Sequence, residues 1–570
     1  MMIEELKKAM VSALDAVDVE IPEGFQVQVE ASADLRFGDY QSNAAMVLAK
    51  RLRMNPRELA AQVIEVLDLG GLATIDMAGP GFINFRIQKE TWSRRVGDLL
   101  ADDRLGVPLA CPAQTIVVDF SAPNVAKPMH VGHIRSTIIG DSLSRIARFL
   151  GHEVIRDNHI GDWGTQFGMI IHGWKTVLNE SDLEADPVAE LLRVYRTVNA
   201  LCGDDESVRE TCKQELVKLQ SGDTENLSIW EKCVDLSKQG LQGIYDRLDV
   251  SFDYWYGESF YNDRLAPLVD DMLESGVARV SEGAVCVFFE GDQKLEDKPT
   301  IVRKADGGFL YATTDLATID FRVEKWDADQ IWYVVGMPQQ LHFQQIFEAT
   351  RMRGLNPSMH HVAFGSILGE DRKLMKTRSG DNVQLVDVLD EAVERAAMAI
   401  EEKNPGMDSE DKKQVAAIVG IGAVKFAELS QHRMTDYVFS WDRMLSLQGD
   451  TAPYLQYSYV RVRSIFRKLE EGVVLDGSKL VIEADAEVHL ARMLVRFGET
   501  VPSLLDDFRP NLLANYLLEL AKAFHSFFEA CPVLKSEGEI QNTRLVLCSL
   551  TSQVLQKGLG LLGIEVPERM

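Results

Sequence analysis

The sequence predicts an α/β protein in which a doubly wound, Rossmann-type parallel sheet lies between an N-terminal α/β module and a C-terminal helical bundle. Three observations support this fold class. The 570 residues are enough for about three or four domains of ordinary size. A strand, a helix and a second strand follow one another over residues 115–156, the order of a parallel βαβ unit. From about residue 385, apolar residues recur with the 3.6-residue period of helices.

Composition and charge exclude several classes of protein. With 46% hydrophobic and 26% charged residues, the chain has a globular composition. Its net charge of −27 disfavours a protein that binds nucleic acid or anionic membranes through a general positive field, although a local basic track remains compatible. We see no apolar run of signal-peptide or membrane-spanning length, so a cytoplasmic location is expected. The seven cysteines include no C-x-x-C pair, which predicts reduced thiols rather than disulfides or structural zinc.

Three domains are predicted in chain order. Residues 1–110 form an α/β module with an amphipathic helix over Met1–Val17, and residues 111–384 form the sheet domain with a helical insertion at about 175–250. Residues 385–570 form the helical bundle. The other predicted strands are Val27–Ala31, Phe82–Ile87, Thr115–Phe120, Glu153–Arg156, Val285–Glu290, Thr300–Lys304 and Gln330–Val335. The other predicted helices are Ala44–Leu52, Pro56–Leu67 with Asn55 as its cap, His130–Leu150, Leu385–Glu402, Lys412–Leu429, Tyr454–Leu469, Ala486–Leu505, Pro510–Ala530 and Asn542–Leu562.

The sharpest functional signal is the loop S-A-P-N-V-A-K-P-M-H-V-G-H, which runs from Ser121 to His133. It joins a buried strand to a helix at the carboxyl edge of the predicted sheet, where open α/β folds bind ligands. His130 and His133 are about one helical turn apart and so share one side, while Gly132 allows a ligand to approach the backbone. A helix N-terminus with two imidazoles favours phosphate. The alternatives are a chance H-x-G-H match and metal ligation, but we see no Cys, Asp or Glu nearby at a ligand spacing.

This signature resembles the H-I-G-H region of class I aminoacyl-tRNA synthetases, and specifically of the bacterial arginyl-tRNA synthetases. The resemblance covers essentially the whole chain, including the order of the domains. Further segments that are similar to the family are Gly161–Gly168, Leu219–Asp223, Tyr311–Asp315, Val335–Gln339, Thr451–Tyr457 and Val566–Met570.

The resemblance implies a ligase that joins arginine to ATP, giving arginyl-adenylate and pyrophosphate, and then transfers arginine to the 3′-terminal adenosine of tRNA(Arg). ATP would enter with Mg²⁺, and no tightly bound cofactor is implied. By resemblance, His130, Gly132 and His133 hold the ATP phosphates. The family needs bound tRNA even for the first step and is mostly monomeric, so a monomer is expected.

A lysine-bearing loop of the family corresponds to Lys373–Gly380, and its register is open. If Lys373 is the first letter of K-M-S-K-S, Lys376 is the catalytic second lysine. If Thr377 takes that place, Lys127 is the substitute. We expect at least one of Lys127 and Lys376 to stabilise the pyrophosphate leaving group. The alternative, for the loop alone, is a solvated basic turn.

Selection of arginine requires carboxylate, because a guanidinium is a planar fork of donors. Tyr311 and Asp315 are four residues apart and face one way on a helix. By resemblance, Asp315 accepts the guanidinium beside Tyr311, and Asp119 is a possible second acidic partner. An ordinary helix-surface pair is the alternative for Tyr311 and Asp315. The resemblance also assigns the α-amino and carboxylate groups of arginine to Asn124 and Gln339, whereas His159 either lines the cleft or caps its strand.

The helical bundle is similar to the anticodon-binding domain of the family, and the N-terminal module to the domain that touches the tRNA elbow. Anticodon bases are read by stacking and by hydrogen bonds to base edges. Tyr454, Tyr457 and Arg461 place aromatic and basic groups on one helix, and Tyr40 and Gln41 lie in the segment F-G-D-Y-Q-S-N. The alternative for that helix is that Tyr454 and Tyr457 are core residues and the arginine merely faces solvent.

Two other kinds of function are alternatives to the ligase that the resemblance implies. A stand-alone adenylyltransferase with an H-x-G-H loop needs neither the bundle nor the N-terminal module. A non-catalytic RNA-binding relative usually loses the histidines, and both are present here. Another class I synthetase is possible in principle, but Asp315 and the whole-length resemblance favour arginine.

Overall fold

In the computed structural model, the chain divides into two units whose boundaries do not follow chain order. The structure describes residues 1–17, 19, 21–32, 34–369, 371–373, 375, 383–446, 449–469 and 473–570. One unit comprises Met1–Pro108, Ser458–Ser503 and Asn515–Lys557, and the other comprises Leu109–Tyr457, Leu504–Ala514 and Gly558–Met570. The predicted third domain, 385–570, therefore contributes helices to both units.

The N-terminal part of the first unit is an antiparallel sheet with helices. Its four strands lie in the order β1-β2-β4-β3, and Gln41 is opposite Asn84. Asn55 caps α3 as predicted, since its side chain accepts from the Arg57 N–H with Pro56 at the first helical position. The strand predicted to begin at Val27 is confined to Glu30–Ala31. The elements are α1 (Met2–Ala16), β1 (Glu30–Ala31), β2 (Tyr40–Ser42), α2 (Ala44–Leu52), α3 (Pro56–Val66), β3 (Ala73–Ala78), β4 (Phe82–Ile87) and α4 (Lys89–Leu100).

The second unit begins with the predicted βαβ unit and its helical insertion. The side chains of Asn179, Asp186, Asp205 and Asp223 each accept a backbone N–H at a helix start, which explains why polar sequence folds here into successive helices. The elements are β5 (Thr115–Asp119), α5 (Val131–Phe149), β6 (Glu153–Asp157), α6 (Gln166–Thr176), α7 (Glu180–Ala185), α8 (Pro187–Asp204), α9 (Glu206–Gln220) and α10 (Thr224–Arg247).

The rest of the sheet domain follows the insertion. Its elements are α11 (Asn262–Glu274), β7 (Ala278–Ser281), β8 (Ala284–Val287), β9 (Thr300–Arg303), α12 (Tyr311–Trp326), β10 (Gln330–Tyr333), α13 (Gln340–Met352), β11 (Ser358–His361) and β12 (Ile367–Leu368).

A parallel sheet in the order β11-β10-β5-β6 carries the site. Its central strand β5 pairs with β6 on one side and with β10 on the other, so Asp119 lies between Asp157 and Tyr333 at the carboxyl ends. This confirms the predicted fold class. The strands predicted near 285 and 300 do form, but they join β7 in a separate antiparallel sheet, β7-β8-β9, and not the parallel one.

The remaining elements are helices and one short strand. The strand, β13, pairs in parallel with β12. Each of the six amphipathic segments predicted beyond residue 385 contains a helix. Within the described part of the chain, no helix is long and apolar enough to cross a membrane. The elements are α14 (Leu385–Lys403), α15 (Ser409–Leu429), β13 (Tyr437–Val438), α16 (Trp441–Met444), α17 (Ala452–Phe466), α18 (Asp485–Ser503), α19 (Pro510–Ala530) and α20 (Gly538–Leu561).

Candidate active site

A cavity of about 720 Å³ opens beside the carboxyl ends of β5 and β10, the edge at which parallel sheets bind ligands. Its volume is in the usual range for a small-molecule site. The cavity brings together nine residues that the sequence singled out: Asp119, Asn124, His130, Gly132, His133, His159, Tyr311, Asp315 and Gln339.

The loop after β5 has an unusual backbone that buried hydroxyl groups support. Ser121, Ala122 and Ala126 all have positive φ angles, of 72°, 45° and 59°, which non-glycine residues rarely adopt. The Ser121 hydroxyl lies 2.7 Å from the Tyr245 hydroxyl, and the Ala122 N–H donates to Asn158 Oδ1 at 3.1 Å. These bonds offset the strain and fix the loop that carries Asn124 into the cavity.

The two histidines are neutral hydrogen-bond donors in this arrangement. His133 Nδ1 accepts the His130 N–H, and His130 Nδ1 accepts the Gly132 N–H, both at 3.1 Å. Burial, with a smaller effect of the neighbouring His130, lowers the pKa of His133 to about 4, and burial also lowers the pKa of His130. Since His130 Nδ1 accepts the Gly132 N–H, the proton of its neutral ring is on Nε2. The Nδ1 of His133 also lies 3.3 Å from the His130 carbonyl oxygen, and in the tautomer that accepts the His130 N–H its proton is likewise on Nε2. In that arrangement, both Nε2–H groups can donate to phosphate oxygens without a full positive charge.

Asp315 and Tyr311 both line the cavity, as their four-residue spacing predicts. Tyr311 begins α12 and is 72% exposed. The Asp315 Oδ2 atom lies 2.5 Å from Nε2 of His342, a residue of α13 that the sequence did not single out. Gln339 reaches the same cavity from the short 3₁₀ turn Met337–Gln339, immediately before α13.

Asp119 is already paired with an arginine of the protein itself. The fully buried Arg322 places Nη2 2.7 Å from Asp119 Oδ2 and 2.8 Å from Asp157 Oδ2. A guanidinium from α12 therefore already occupies one oxygen of Asp119, and its role as a possible second acidic partner for the ligand stays a prediction. The pairing gives one oxygen of each of these two carboxylates, at adjacent strand ends, a charged partner, while Asp157 Oδ1 stays buried without a hydrogen bond.

Glu258 supplies a second carboxylate that sequence reasoning missed. It begins the 3₁₀ turn Glu258–Tyr261 and lines the cavity together with His159 and Asp315. Burial raises the pKa of Glu258 to about 7; nearby Asp162 and Asp315 act in the same direction, whereas His159 acts against them. Its loop position carries no periodic or motif signal, so nothing in the sequence alone distinguished it from other acidic residues.

Three family models match the chain, and together they cover most of it. The model for "tRNA synthetases class I (R), catalytic domain" matches residues 95–441, the "DALR anticodon binding domain" matches 455–570, and the "Arginyl tRNA synthetase N terminal domain" matches 4–87. The chain belongs to the arginyl-tRNA synthetase family. This confirms the family resemblance read from the signature loop and the segments downstream of it.

Curated relatives and solved structures agree with the family. The chain is 45% identical to an arginine–tRNA ligase of Hahella chejuensis over 99% of both chains, and 47% identical to one of Thermobifida fusca over 94% of both. An arginyl-tRNA synthetase structure from Plasmodium falciparum matches with a TM-score of 0.86 and 28% identity, covering 100% of this chain and 99% of that one. The Thermus thermophilus arginyl-tRNA synthetase structure, at 24% identity and a TM-score of 0.81, shows the same fold.

Among the described residues that line the cavity, neither Lys127 nor Lys373 is present. The Lys127 ammonium lies 5.4 Å from the centre of the Tyr195 ring, on the helical insertion. The Lys373 N–H donates to Asp371 Oδ1 at 3.1 Å. Lys376 and Thr377 lie outside the described residues, so the register of the lysine loop stays a prediction.

The predicted tRNA contacts of this arginyl-tRNA synthetase family member differ in accessibility. Tyr40 is 1% exposed, and its hydroxyl donates to the Glu499 carboxylate, so it is a core residue and we withdraw it from the tRNA surface. Gln41 and Tyr454 are half-buried, whereas Tyr457 is 44% exposed. Arg461 lies 4.6 Å from the Phe528 ring centre and within 3.0 Å of His525 Nδ1.

Proposed function

We propose that this chain is an arginine–tRNA ligase that forms arginyl-adenylate from arginine and ATP and then charges tRNA(Arg). One observation carries the proposal: the H-x-G-H imidazoles and the Asp315 carboxylate line a single cavity at the sheet edge. The arginine–tRNA ligases that it resembles at 45% and 47% identity over nearly their whole lengths support the same reaction.

In the first step, a carboxylate oxygen of arginine attacks the α-phosphorus of ATP, which enters as its Mg²⁺ complex. The bond from the α-phosphorus to the bridging oxygen breaks, and its electron pair leaves with pyrophosphate. The phosphates would dock at the start of α5, where the Nε2–H groups of His130 and His133 donate as negative charge accumulates. Gly132 has no side chain to block that approach. Lys127 or Lys376 would then stabilise the departing pyrophosphate.

At the other end of the cavity, Asp315 and Glu258 would receive the guanidinium from two directions. A planar fork with five donors needs at least two acceptors, and a lysine ammonium does not match that geometry. Asn124 and Gln339 would hold the α-amino and carboxylate groups, Tyr311 would cover the side chain, and His159 would line the wall. Asp119 is left out of this set, since Arg322 already occupies one of its carboxylate oxygens.

The tRNA would contact the regions that match the anticodon-binding and N-terminal family models. Gln41, Tyr454, Tyr457 and Arg461 stay candidates for these contacts, through stacking and polar groups. With a net charge of −27, the attraction must be concentrated in local basic tracks, so tRNA binding should weaken steeply with salt. We further infer that the enzyme acts as a monomer in the cytoplasm.

Arginine-dependent exchange between ATP and labelled pyrophosphate tests this function. We expect exchange only when arginine and tRNA(Arg) are both present, followed by arginylation of that tRNA. A stand-alone adenylyltransferase would act without tRNA, and a non-catalytic relative would show no exchange. Exchange that depends on a different amino acid would contradict the assignment to arginine.

A further inference from the structure

We propose that His342 is a positioning residue that orients the Asp315 carboxylate to receive the guanidinium of the substrate. The inference rests on the proposed function and adds a residue to the specificity of that same site. His342 Nε2 lies 2.5 Å from Asp315 Oδ2, and both residues line the cavity. Their side chains are 26% and 20% exposed, so this bond is largely shielded from solvent.

An aspartate carboxyl group needs such a contact, because rotation about its last side-chain bond is broad and only weakly restricted. Two-point recognition of a guanidinium requires the carboxylate and the guanidinium to be nearly coplanar. An N–H bond to Oδ2 fixes one carboxylate oxygen. Among the described residues, Asp315 Oδ1 receives no hydrogen bond, so that atom is left for the substrate.

The position of the imidazole is itself fixed by its neighbours. His342 is the third residue of α13, and its ring lies edge-on to that of Phe343, with centroids 5.4 Å apart. Phe343 is 4% exposed and packs on Tyr333 of β10 and His361 of β11, at 4.8 and 4.7 Å. The sheet therefore anchors the start of α13, and His342 transmits that position to Asp315 on α12.

A purely structural role is the competing explanation, in which the pair only ties α12 to α13. The two roles differ in what they change. Loss of a structural tie would lower the stability of the protein and change the KM values of arginine and ATP alike. Loss of the orientation of Asp315 would instead raise the KM for arginine and leave the KM for ATP unchanged. Inhibition by agmatine, which has the guanidinium but no carboxylate, reports on this end of the site alone.

The test uses the full-length protein with tRNA(Arg) and three variants, His342→Leu, His342→Gln and His342→Asn. Leu removes the donor at similar volume, the Gln amide nitrogen reaches about as far as Nε2, and Asn is too short. Loss of a hydrogen bond to a charged group predicts a roughly tenfold or larger rise in the arginine KM for Leu and Asn. The arginine KM of the Gln variant should lie within about threefold of the wild-type value, which corresponds to a loss of binding free energy of under 1 kcal/mol. The agmatine inhibition constant should follow the arginine KM, while the ATP KM should stay constant.

Gln345→Leu is the matched control, because Gln345 lies on the same helix and donates to the Lys298 carbonyl away from the cavity. Its arginine KM should equal that of wild type. If His342→Leu does not fold, the comparison of Asn with Gln decides. A normal arginine KM in the Leu or Asn variant, an equal rise in the ATP KM, or no recovery in the Gln variant would overturn the inference alone. A wild-type protein without arginine-dependent exchange would overturn the proposed function as well.

Discussion

Replacement of Glu258 by Gln should stabilise the ligand-free protein at pH 8 and weaken its binding of arginine. The carboxyl group lies in the cavity, where burial raises its pKa to about 7 and Asp162 and Asp315 add repulsion. Above that pH, the folded protein holds a poorly solvated charge beside like charges. Gln has nearly the same shape without the charge, so it removes this unfavourable free energy and also the acceptor for a cation.

The magnitude and sign follow from proton linkage. The pKa of Glu258 is about 7 in the folded chain, against 4.5 for the free side chain. A raised folded-state pKa contributes stability below pH 4.5 that is lost as the pH rises through 7. The difference between these two pKa values corresponds to about 3 kcal/mol of folding stability at 1.36 kcal/mol per pH unit. Because Glu258 is partly exposed, we expect a contribution of about 2 kcal/mol. The Gln variant does not titrate, so its relative gain should reach about 2 kcal/mol by pH 8.

Thermal unfolding of the wild type and Glu258→Gln at pH 5 and pH 8 measures this difference, because effects of other titrating groups are common to both proteins. Glu324→Gln is the control, since Glu324 is 63% exposed and pairs with Arg264 away from the cavity. Arginine binding supplies the second readout. Between pH 6 and pH 8, the ionised fraction of a group with a pKa of about 7 rises from about 0.1 to about 0.9. Wild-type affinity for arginine should therefore rise roughly tenfold, and the Gln variant should lose most of this dependence.

Either of two results would refute the reasoning. If Glu258→Gln changes the Tm by the same amount at pH 5 and pH 8, Glu258 does not titrate between these values in the folded chain. If its arginine KM at pH 8 equals that of wild type, Glu258 is not a ligand of arginine.

Two further predictions concern the same reaction. Asp315→Asn should raise the arginine KM by roughly 100-fold or more, because it leaves the guanidinium with an uncharged and partly mismatched partner. The ATP KM should change little, and a near-normal arginine KM in pyrophosphate exchange would defeat the assignment. Lys127→Ala combined with Lys376→Ala should abolish exchange, since we expect at least one of these lysines to stabilise the leaving group. Each single variant then identifies the lysine that acts, and exchange that survives the double change would show that neither does.

The sheet domain was largely predictable because its signals are local. The apolar run that becomes β5, the helical period of α5 and the Gly after it specify a βαβ unit without reference to the rest of the chain. Which strands pair with each other was not predictable from such local signals. The strands at β8 and β9 were recognisable, but nothing in their own residues shows that they pair with β7 and not with the parallel sheet.

The residues of the candidate site also differ in whether a local sequence pattern reveals them. His130 and His133 follow directly from the end of β5, so a local pattern was enough to find them. Glu258 and His342 reach the cavity from a turn and from the start of a helix, and no spacing marks them. The pairing of Asp119 with Arg322 was not predictable, because Arg322 is 203 residues further along the chain. Such long-range pairings depend on the folded sheet.

The Arg322 pairing also determines where the substrate can bind. Without it, Asp119 and Asp157 would present two carboxylates at adjacent strand ends and would attract a guanidinium to the floor of the cavity. Because Arg322 pairs with both of those carboxylates, the acidic residues of the cavity lining without an arginine partner are Asp315 and Glu258, among the residues that the structure describes. A lysine substrate would satisfy their charge but not the hydrogen-bonding pattern of a guanidinium, since one ammonium cannot present a planar fork. Selectivity for arginine should therefore depend on the orientation of the acceptor oxygens more than on negative charge, and the bond from His342 that orients Asp315 contributes to this selectivity.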